Sequence, residues 1–251
     1  MPAIDLNSDV GESFGTWRLG DGEMLDIVSS VNIACGFHAG DPLTIRSTVV
    51  GAAARGLSVG AHIGYRDLAG FGRRFIDYAP DELAAEVVYQ VGALEGLARL
   101  AGTSVRYVKP HGALYHAMAA DRTQAKVVVD ALAEYNPALP LLLLPGGVAF
   151  DYAREQGLRA VGEAFADRSY NPDGTLVSRR EPGAVLHESS EVVDNMLRLA
   201  QEGVIIARDG SRLEMEAESI CTHGDTPGAV AMARAVRGAL ESAGVQIRSF
   251  A

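Results

Sequence analysis

Short apolar runs alternate along the chain with longer stretches patterned at helical spacing, the signature of repeated βα units on a mostly parallel sheet. The runs predict strands at Ala3–Leu6, Val31–Ala34, Ser58–Ala61, Arg106–Lys109, Leu141–Leu144, Ala160–Ala164 and Ser219–Thr222. The longer stretches predict helices at Gly22–Ser30, Pro42–Arg55, Asp81–Ala101, Thr123–Tyr135, Gly147–Gln156, Ser190–Glu202 and Pro227–Ala243. In the third of these, Leu83, Val87, Gln90, Val91, Leu94, Leu97 and Ala98 fall largely on one stripe. Asp41-Pro42 and Thr226-Pro227 each put a capping residue before Pro at the first helical position. Val204–Ala207, Asp209-Gly210 and Arg212–Glu216 read as a β-hairpin with a tight turn. Residues 165–183 form a long, polar, turn-rich loop of the kind that usually carries function. No repeat, linker or composition shift divides the chain, which reads as one α/β domain over residues 1–251.

Seven βα units fit either an open doubly wound sheet or a barrel, complete or one strand short. Both place ligands at the carboxyl ends of the strands. The polar residues just past the strands are Asn7, Asp9 and Glu12; His38 and Asp41; His62 and Asp67; Lys109 and His111; Glu163, Asp167 and Arg168; His223 and Asp225. An open sheet has one crevice at its switch point, so clusters after nearly every strand favour a closed ring.

Charge and composition narrow the partners. The net charge of −10 argues against nucleic acid, which needs a basic footprint. No apolar run reaches the length of a membrane span. The start of the chain lacks a basic segment before an apolar one, so no secretory signal is expected. With Cys35 and Cys221 alone, a disulfide framework is excluded, and a reduced cytoplasmic enzyme is the expectation. Lys occurs only at 109 and 126, which makes Lys109 conspicuous.

The strand-end residues suggest specific chemistry. Along a strand, Asp5, Asn7 and Asp9 share one face, which in a small barrel points inward. His38 lies just before a helix N-terminus, and small residues at 36, 39 and 40 let a ligand approach the backbone. Lys109 ends an apolar strand; it can polarise a carbonyl oxygen, or carry a proton if its pKa is lowered. Glu163 can act as a general base if partly desolvated. Asp167–Arg168 reads either as part of a site or as a loop anchor. The Arg73–Arg74 pair suits a carboxylate or phosphate. Cys35 reads as a small buried residue rather than a nucleophile, and His116 and His187 as surface residues. There is no P-loop, no GxGxxG after the first strand, no GxSxG and no HExxH.

Together, DLNSDVGE (5–12), NIACGFHAGDP (32–42), GAHIGYRD with GFGRR (60–74), VKPHGALY (108–115), EAFADRSYNPDGTLVSR (163–179) and CTHGDTP (221–227) strongly resemble the LamB/YcsF family. That resemblance implies a TIM-like barrel of the glycoside hydrolase/deacetylase type, often seven-stranded. It implies the A-subunit role in ATP-dependent 5-oxoprolinase, cleaving 5-oxo-L-proline to L-glutamate together with B and C subunits. Three positions depart from the family pattern. Ser8 replaces a Cys, and Ile63 and Arg66 replace two prolines.

The resemblance further implies a site of Asp9, Glu12, His38, His62, Lys109, His111, Glu163, Asp167, His223 and Asp225, in which the expected catalytic set is Asp9, Lys109, His111 and Glu163. Either Asp9 or Glu163 serves as base, with Lys109 and His111 facing the developing oxyanion. Asn7, Glu12, His38, His62, Asp167, Arg168, His223 and Asp225 are then substrate-binding. A divalent metal, if one is held, falls to Asp9, His38, His62 and His223. ATP with Mg²⁺ sits either mainly on the partner subunits or here on glycine turns, helix N-termini and Arg. Two other classes compete: a metal-dependent deacetylase or hydrolase of the same barrel type, and a non-catalytic binding subunit.

Overall fold

The computed structural model of the chain describes residues 2–19, 22–224 and 228–251. Among these, ten strands follow in order: β1 (Ala3–Val10), β2 (Ser30–Ala34), β3 (Ser58–Ile63), β4 (Val105–Pro110), β5 (Leu141–Leu143), β6 (Ala160–Phe165), β7 (Val204–Ile206), β8 (Arg212–Glu214), β9 (Ser219–Cys221) and β10 (Gln246–Ile247). The α-helices are α1 (Pro42–Ala54), α2 (Pro80–Leu100), α3 (Gly112–Ala120), α4 (Arg122–Tyr135), α5 (Val148–Glu155), α6 (Ser189–Glu202) and α7 (Ala229–Ser242).

Seven strands close a parallel barrel in the order β1-β2-β3-β4-β5-β6-β9, with β9 pairing back onto β1. Strand β10 lies outside the ring and pairs with Ala3 and Ile4 at the start of β1. The predicted hairpin forms as β7 and β8, with Gly210 at φ 87° in its turn. No described helix is long and apolar enough to cross a membrane.

Alternation sorts the side chains. Ile4, Leu6 and Val10 join the hydrophobic core, while Asp5, Asn7 and Asp9 enter the barrel and bond across it. Near the amino ends of the strands, Tyr107, Leu142 and Val161 form a separate apolar plug, covered by Phe250 and Ala251. Gly60 makes room for it: a Cβ there would lie 2.3 Å from the Tyr107 ring. The Tyr107 hydroxyl donates to Asn32 Oδ1 at 2.7 Å, joining the plug to the polar layer above.

The predicted helix at Gly22–Ser30 is a correction. Only Gly22–Asp26 winds, as a 3₁₀ turn, and Ser30 already belongs to β2. The reason lies in Asp5, which accepts from Ser29 Oγ at 2.6 Å and Ser30 Oγ at 2.7 Å, holding both serines at the barrel wall. Strand β1 also runs four residues past its predicted end, and α3 forms where no element is predicted. The proposed cap Thr226-Pro227 lies outside the described residues.

Asp5 also gives a pH prediction. Its pKa is pushed up to about 6, mainly by burial, against the hydrogen bonds from Ser219, Ser29 and Ser30. Between its unfolded and folded values, the folded chain holds a proton that the unfolded chain has released. This contribution to stability is full below pH ~4 and lost as pH rises through ~6. The shift corresponds to about 3 kcal/mol. Asp5→Asn lacks the titration. Urea unfolding at pH 4 and pH 7 should show wild type losing roughly 3 kcal/mol more than the variant over that interval. Parallel losses would show that Asp5 does not titrate in this way.

Candidate functional site

Lys109 ends β4 inside the barrel, and its side chain is only 2% exposed. Its ammonium lies 2.8 Å from Glu163 Oε1, 3.0 Å from Asp9 Oδ1 and 3.3 Å from Asn7 Oδ1, with Cys221 Sγ at 3.2 Å. Asn7 binds Glu163 Oε1 through Nδ2 at 3.0 Å, and Asn32 Nδ2 donates to both Asn7 Oδ1 and Asp9 Oδ1. The barrel floor is therefore a hydrogen-bonded network around one cation.

Burial works to lower the Lys109 pKa, but the charges on Asp9, Cys221 and Glu163 outweigh it and hold it well above its usual value. Of the two roles open from sequence, that favours the fixed positive charge over the proton carrier. Asp9 is driven the other way. Burial raises its pKa, and His62, Lys109 and His223 bring it well below the carboxylate range. Glu163 stays above its usual value, because burial exceeds what Lys109 takes back.

The two carboxylates also differ in reach. A cavity of about 840 Å³ opens over the strand ends, and Asp9, Lys109, Tyr115, Phe165 and His223 line it. Glu163 is fully buried beside Lys109 and is not on the cavity wall. Asp9 therefore faces the cavity, while Glu163 holds Lys109 from below it.

A second pair stands beside them. His223 Nδ1 lies 2.8 Å from Asp167 Oδ2, and its Nε2 lies 3.9 Å from Asp9 Oδ2. Burial depresses the His223 pKa, but Asp167 and Asp9 overcome this and raise it. A carboxylate that orients one ring nitrogen while the other faces a cavity is a general acid–base arrangement. The sequence reading placed both residues in the site without pairing them.

Three further histidines, His38, His62 and His111, group on the other side of Asp9. His62 Nε2 is 3.2 Å from Asp9 Oδ2 and 3.0 Å from His111 Nδ1. His38 stacks on His111 with ring centroids 3.8 Å apart, and its Nε2 lies 3.4 Å from Glu12 Oε1. Burial pushes His38 and His111 well below the usual histidine pKa, helped by neighbouring histidines. Glycines leave this space open: a Cβ on Gly72 would sit 2.7 Å from both His111 and His38, and one on Gly64 2.7 Å from His38 Nδ1.

Among the described residues, ligating atoms converge in two groups. One is Glu12, His38, His62 and His111; the other is Asp9, Cys221 and His223. The expected set of Asp9, His38, His62 and His223 is thus divided. His223 turns to Asp167, and Glu12 and His111 complete the larger group.

Other expectations resolve into structural roles. Asp41 caps α1, accepting from the Leu43 and Thr44 amides, which holds its pKa at about 2. Asp67 caps the 3₁₀ turn Leu68–Gly70 and pairs with Arg74. Arg168 donates to the carbonyls of Val177 at 2.6 Å and Ala184 at 3.2 Å, so it anchors the long loop while lining the cavity. Cys35 is buried with its thiol pushed up to about 12, as suits a structural residue. His116 and His187 are exposed, and His116 borders the cavity. Asp225 lies outside the described residues. The sequence reading missed Tyr115 and Cys221; only the register of β6 and β9 and the turn into α3 bring them to Lys109 and Glu163.

Comparison with known proteins agrees with this fold. The chain is 59% identical over 252 residues to the 5-oxoprolinase A subunit of Kocuria rhizophila, covering all of both chains. It is 57% identical over 251 residues to the 5-oxoprolinase A subunit of Mycobacterium avium, again over the full length of both. The crystal structure of a lactam utilization protein from Thermus thermophilus superposes with a TM-score of 0.94 at 44% identity, over 99% of this chain and 100% of that one. A family 4 carbohydrate esterase from Streptomyces lividans shares the fold alone, at TM-score 0.52 and 11% identity, over 100% of this chain and 93% of that one. The LamB/YcsF family pattern matches residues 4–251, and the chain belongs to the LamB/YcsF family.

Proposed function

We propose that this chain is the A subunit of an ATP-dependent 5-oxoprolinase, opening the lactam ring of 5-oxo-L-proline to L-glutamate with B and C subunits. Full-length relatives carry that subunit name. The observation that carries the chemistry is the buried Lys109 ammonium between Asp9 and Glu163, with the Asp167–His223 pair across the same cavity.

A lactam is a stable amide, so its carbonyl needs activation before water adds. ATP supplies that by phosphorylating the amide oxygen. One water then adds to the ring carbon and the ring nitrogen leaves as an amine. A second water releases phosphate, so two waters are consumed per ATP. His223, aligned by Asp167, takes the proton from the attacking water. The Lys109 charge lies where the oxyanion develops, and preorganised charge of this kind is usually the largest catalytic term. Arg73, Arg168, Arg179 and Arg180 line the cavity and suit the substrate carboxylate or the transferred phosphate. The chain has no phosphate-cradling lysine loop, so the nucleotide is assigned to the partner subunits with its Mg²⁺. The working location is the cytoplasm, where ATP is present.

The test is glutamate release from 5-oxoproline with ATP and Mg²⁺. This chain alone, the B and C subunits alone, and all three together are compared, each with wild type and Asp9→Asn. Activity only in the full mixture, lowered by at least 100-fold in Asp9→Asn, is expected. Full activity with Asp9→Asn, in a complex that still assembles, would make the chain a scaffold. Deacetylation without ATP would move it to the carbohydrate esterase class.

A further inference from the structure

We infer that Glu12, His62 and His111 form the core of a binding site for a divalent transition metal, with His38 as a fourth donor. The argument rests on where protons can be. His62 Nδ1 faces the Lys109 carbonyl at 3.1 Å, and His111 Nε2 faces the Phe71 carbonyl at 2.8 Å. A carbonyl only accepts, so each of those nitrogens carries the ring proton. With both rings neutral, the opposite nitrogens, His62 Nε2 and His111 Nδ1, present lone pairs to each other at 3.0 Å. Two carboxylates crowd the same spot: Glu12 Oε1 is 3.7 Å from His111 Nδ1, and Asp9 Oδ2 is 3.2 Å from His62 Nε2. Ligating atoms packed this closely in a dry pocket repel one another, and a cation among them relieves that repulsion.

The spacing suits a metal. Four donors around a zinc-sized ion at ~2.0–2.1 Å lie about 3.3–3.5 Å apart. The Glu12 Oε1–His38 Nε2 and Glu12 Oε1–His111 Nδ1 separations are 3.4 and 3.7 Å, and all four ligand atoms fall within 4.8 Å of one another. The two carbonyls act as the outer partners that fix metal-binding imidazoles in one tautomer. His38 is fully buried, and neither of its ring nitrogens makes a hydrogen bond. Its ring lies flat on His111, 6° from parallel, so it contributes only by turning out of that stack. Imidazoles with one carboxylate select zinc and its first-row neighbours over Mg²⁺. A metal bound beside Asp9 would lower the pKa of a coordinated water.

This inference does not depend on the lactam reading, and binding tests it directly. The full chain, stripped with a chelator, is titrated with Zn²⁺ against a chromophoric indicator, and the stoichiometry is checked by elemental analysis. One zinc per chain and a rise in Tm are expected. Glu12→Gln, which keeps size and shape, should weaken binding at least 10-fold, and His111→Ala at least 100-fold. His38→Ala should cost less than His111→Ala, and His223→Asn should leave affinity unchanged. Co²⁺ should give d–d absorption bands that Glu12→Gln alters. If His111→Ala fails to fold, Glu12→Gln with the Co²⁺ spectrum decides. Sub-stoichiometric zinc, equal affinity in all variants, or loss confined to His223→Asn would overturn the assignment. The last result would place the ion at Asp9, Cys221 and His223.

Discussion

Lys109→Met should leave the reconstituted complex with less than one part in a hundred of its kcat, and should also destabilise the isolated chain. The two losses have one origin. Among the described residues, Lys109 is the one cation in contact with both Asp9 and Glu163, at 3.0 and 2.8 Å. Methionine fills the same space without charge. Removing one preplaced donor from an oxyanion site typically costs 10²–10³ in rate. Removing one partner of a buried ion pair typically costs about 3–5 kcal/mol, because the other charge stays buried and unpaired. Burial keeps the Glu163 pKa above its ordinary value even with Lys109 beside it, so without Lys109 the Glu163 carboxylate is the uncompensated group. Lys109→Met with Glu163→Gln should therefore regain much of the stability and none of the activity. Steady-state kinetics on the complex and urea unfolding of the chain measure the two effects separately. A single variant that assembles and keeps more than a tenth of wild-type kcat would remove Lys109 from the chemistry. A double variant no more stable than the single one would remove the electrostatic account of its burial.

The division of labour among the acids follows from the same charges. Asp9 is held ionised by His62 and Lys109, which makes it a poor proton acceptor despite its place on the cavity wall. Glu163 is more basic but fully buried. His223 combines a raised pKa, an orienting carboxylate and access to the cavity. Three ionisable residues that look interchangeable in a sequence are thus separated by burial and neighbours into an anchor, a charged wall and the group proposed as base.

Much of this was legible in the sequence, and the rest has identifiable causes. The βα rhythm and the polar strand ends predicted a barrel because apolar outward faces keep their pattern whatever lies inside. Strand β1 was cut short at Leu6 because the barrel interior here is polar. Asn7 and Asp9 interrupt an apolar run that the backbone nonetheless continues to Val10. The pairing of Asp167 with His223 spans 56 positions and depends on register. Phe165 pairs with Cys221 across β6 and β9, so residues two further along each strand arrive side by side. In the same way, pairing of His62 with Lys109 fixes the histidine group against the floor. Residue types at strand ends announce which groups are in the site; only register says which of them touch.

The sharpest test of that register is a methyl group on Gly162. In β6 this residue points outward, one position before Glu163 points in. The chain returning from the β7–β8 hairpin crosses directly over it: Glu218 N donates to Gly162 O at 2.9 Å. A Cβ at Gly162 would lie 1.8 Å from the Glu216 carbonyl oxygen, far inside contact distance and against backbone rather than a movable side chain. Relief requires β6 or the crossing segment to shift, and a shift of β6 carries Glu163 away from Lys109. Overpacking of a rigid site costs about 1–3 kcal/mol and sometimes more, and disturbing the buried ion pair adds to it. Gly162→Ala should therefore lose more than ~3 kcal/mol in urea unfolding and also lower kcat in whatever complex still forms. The same substitution at Gly96 supplies the opposite sign. Gly96 is exposed in the middle of α2, with nothing within 4 Å of its added Cβ. Alanine there should gain about 0.5–1 kcal/mol from helix propensity alone and leave kcat unchanged. Equal, small effects at the two positions would mean that the hairpin strap does not press on β6, and that Glu163 is held by something other than the strand's fixed position.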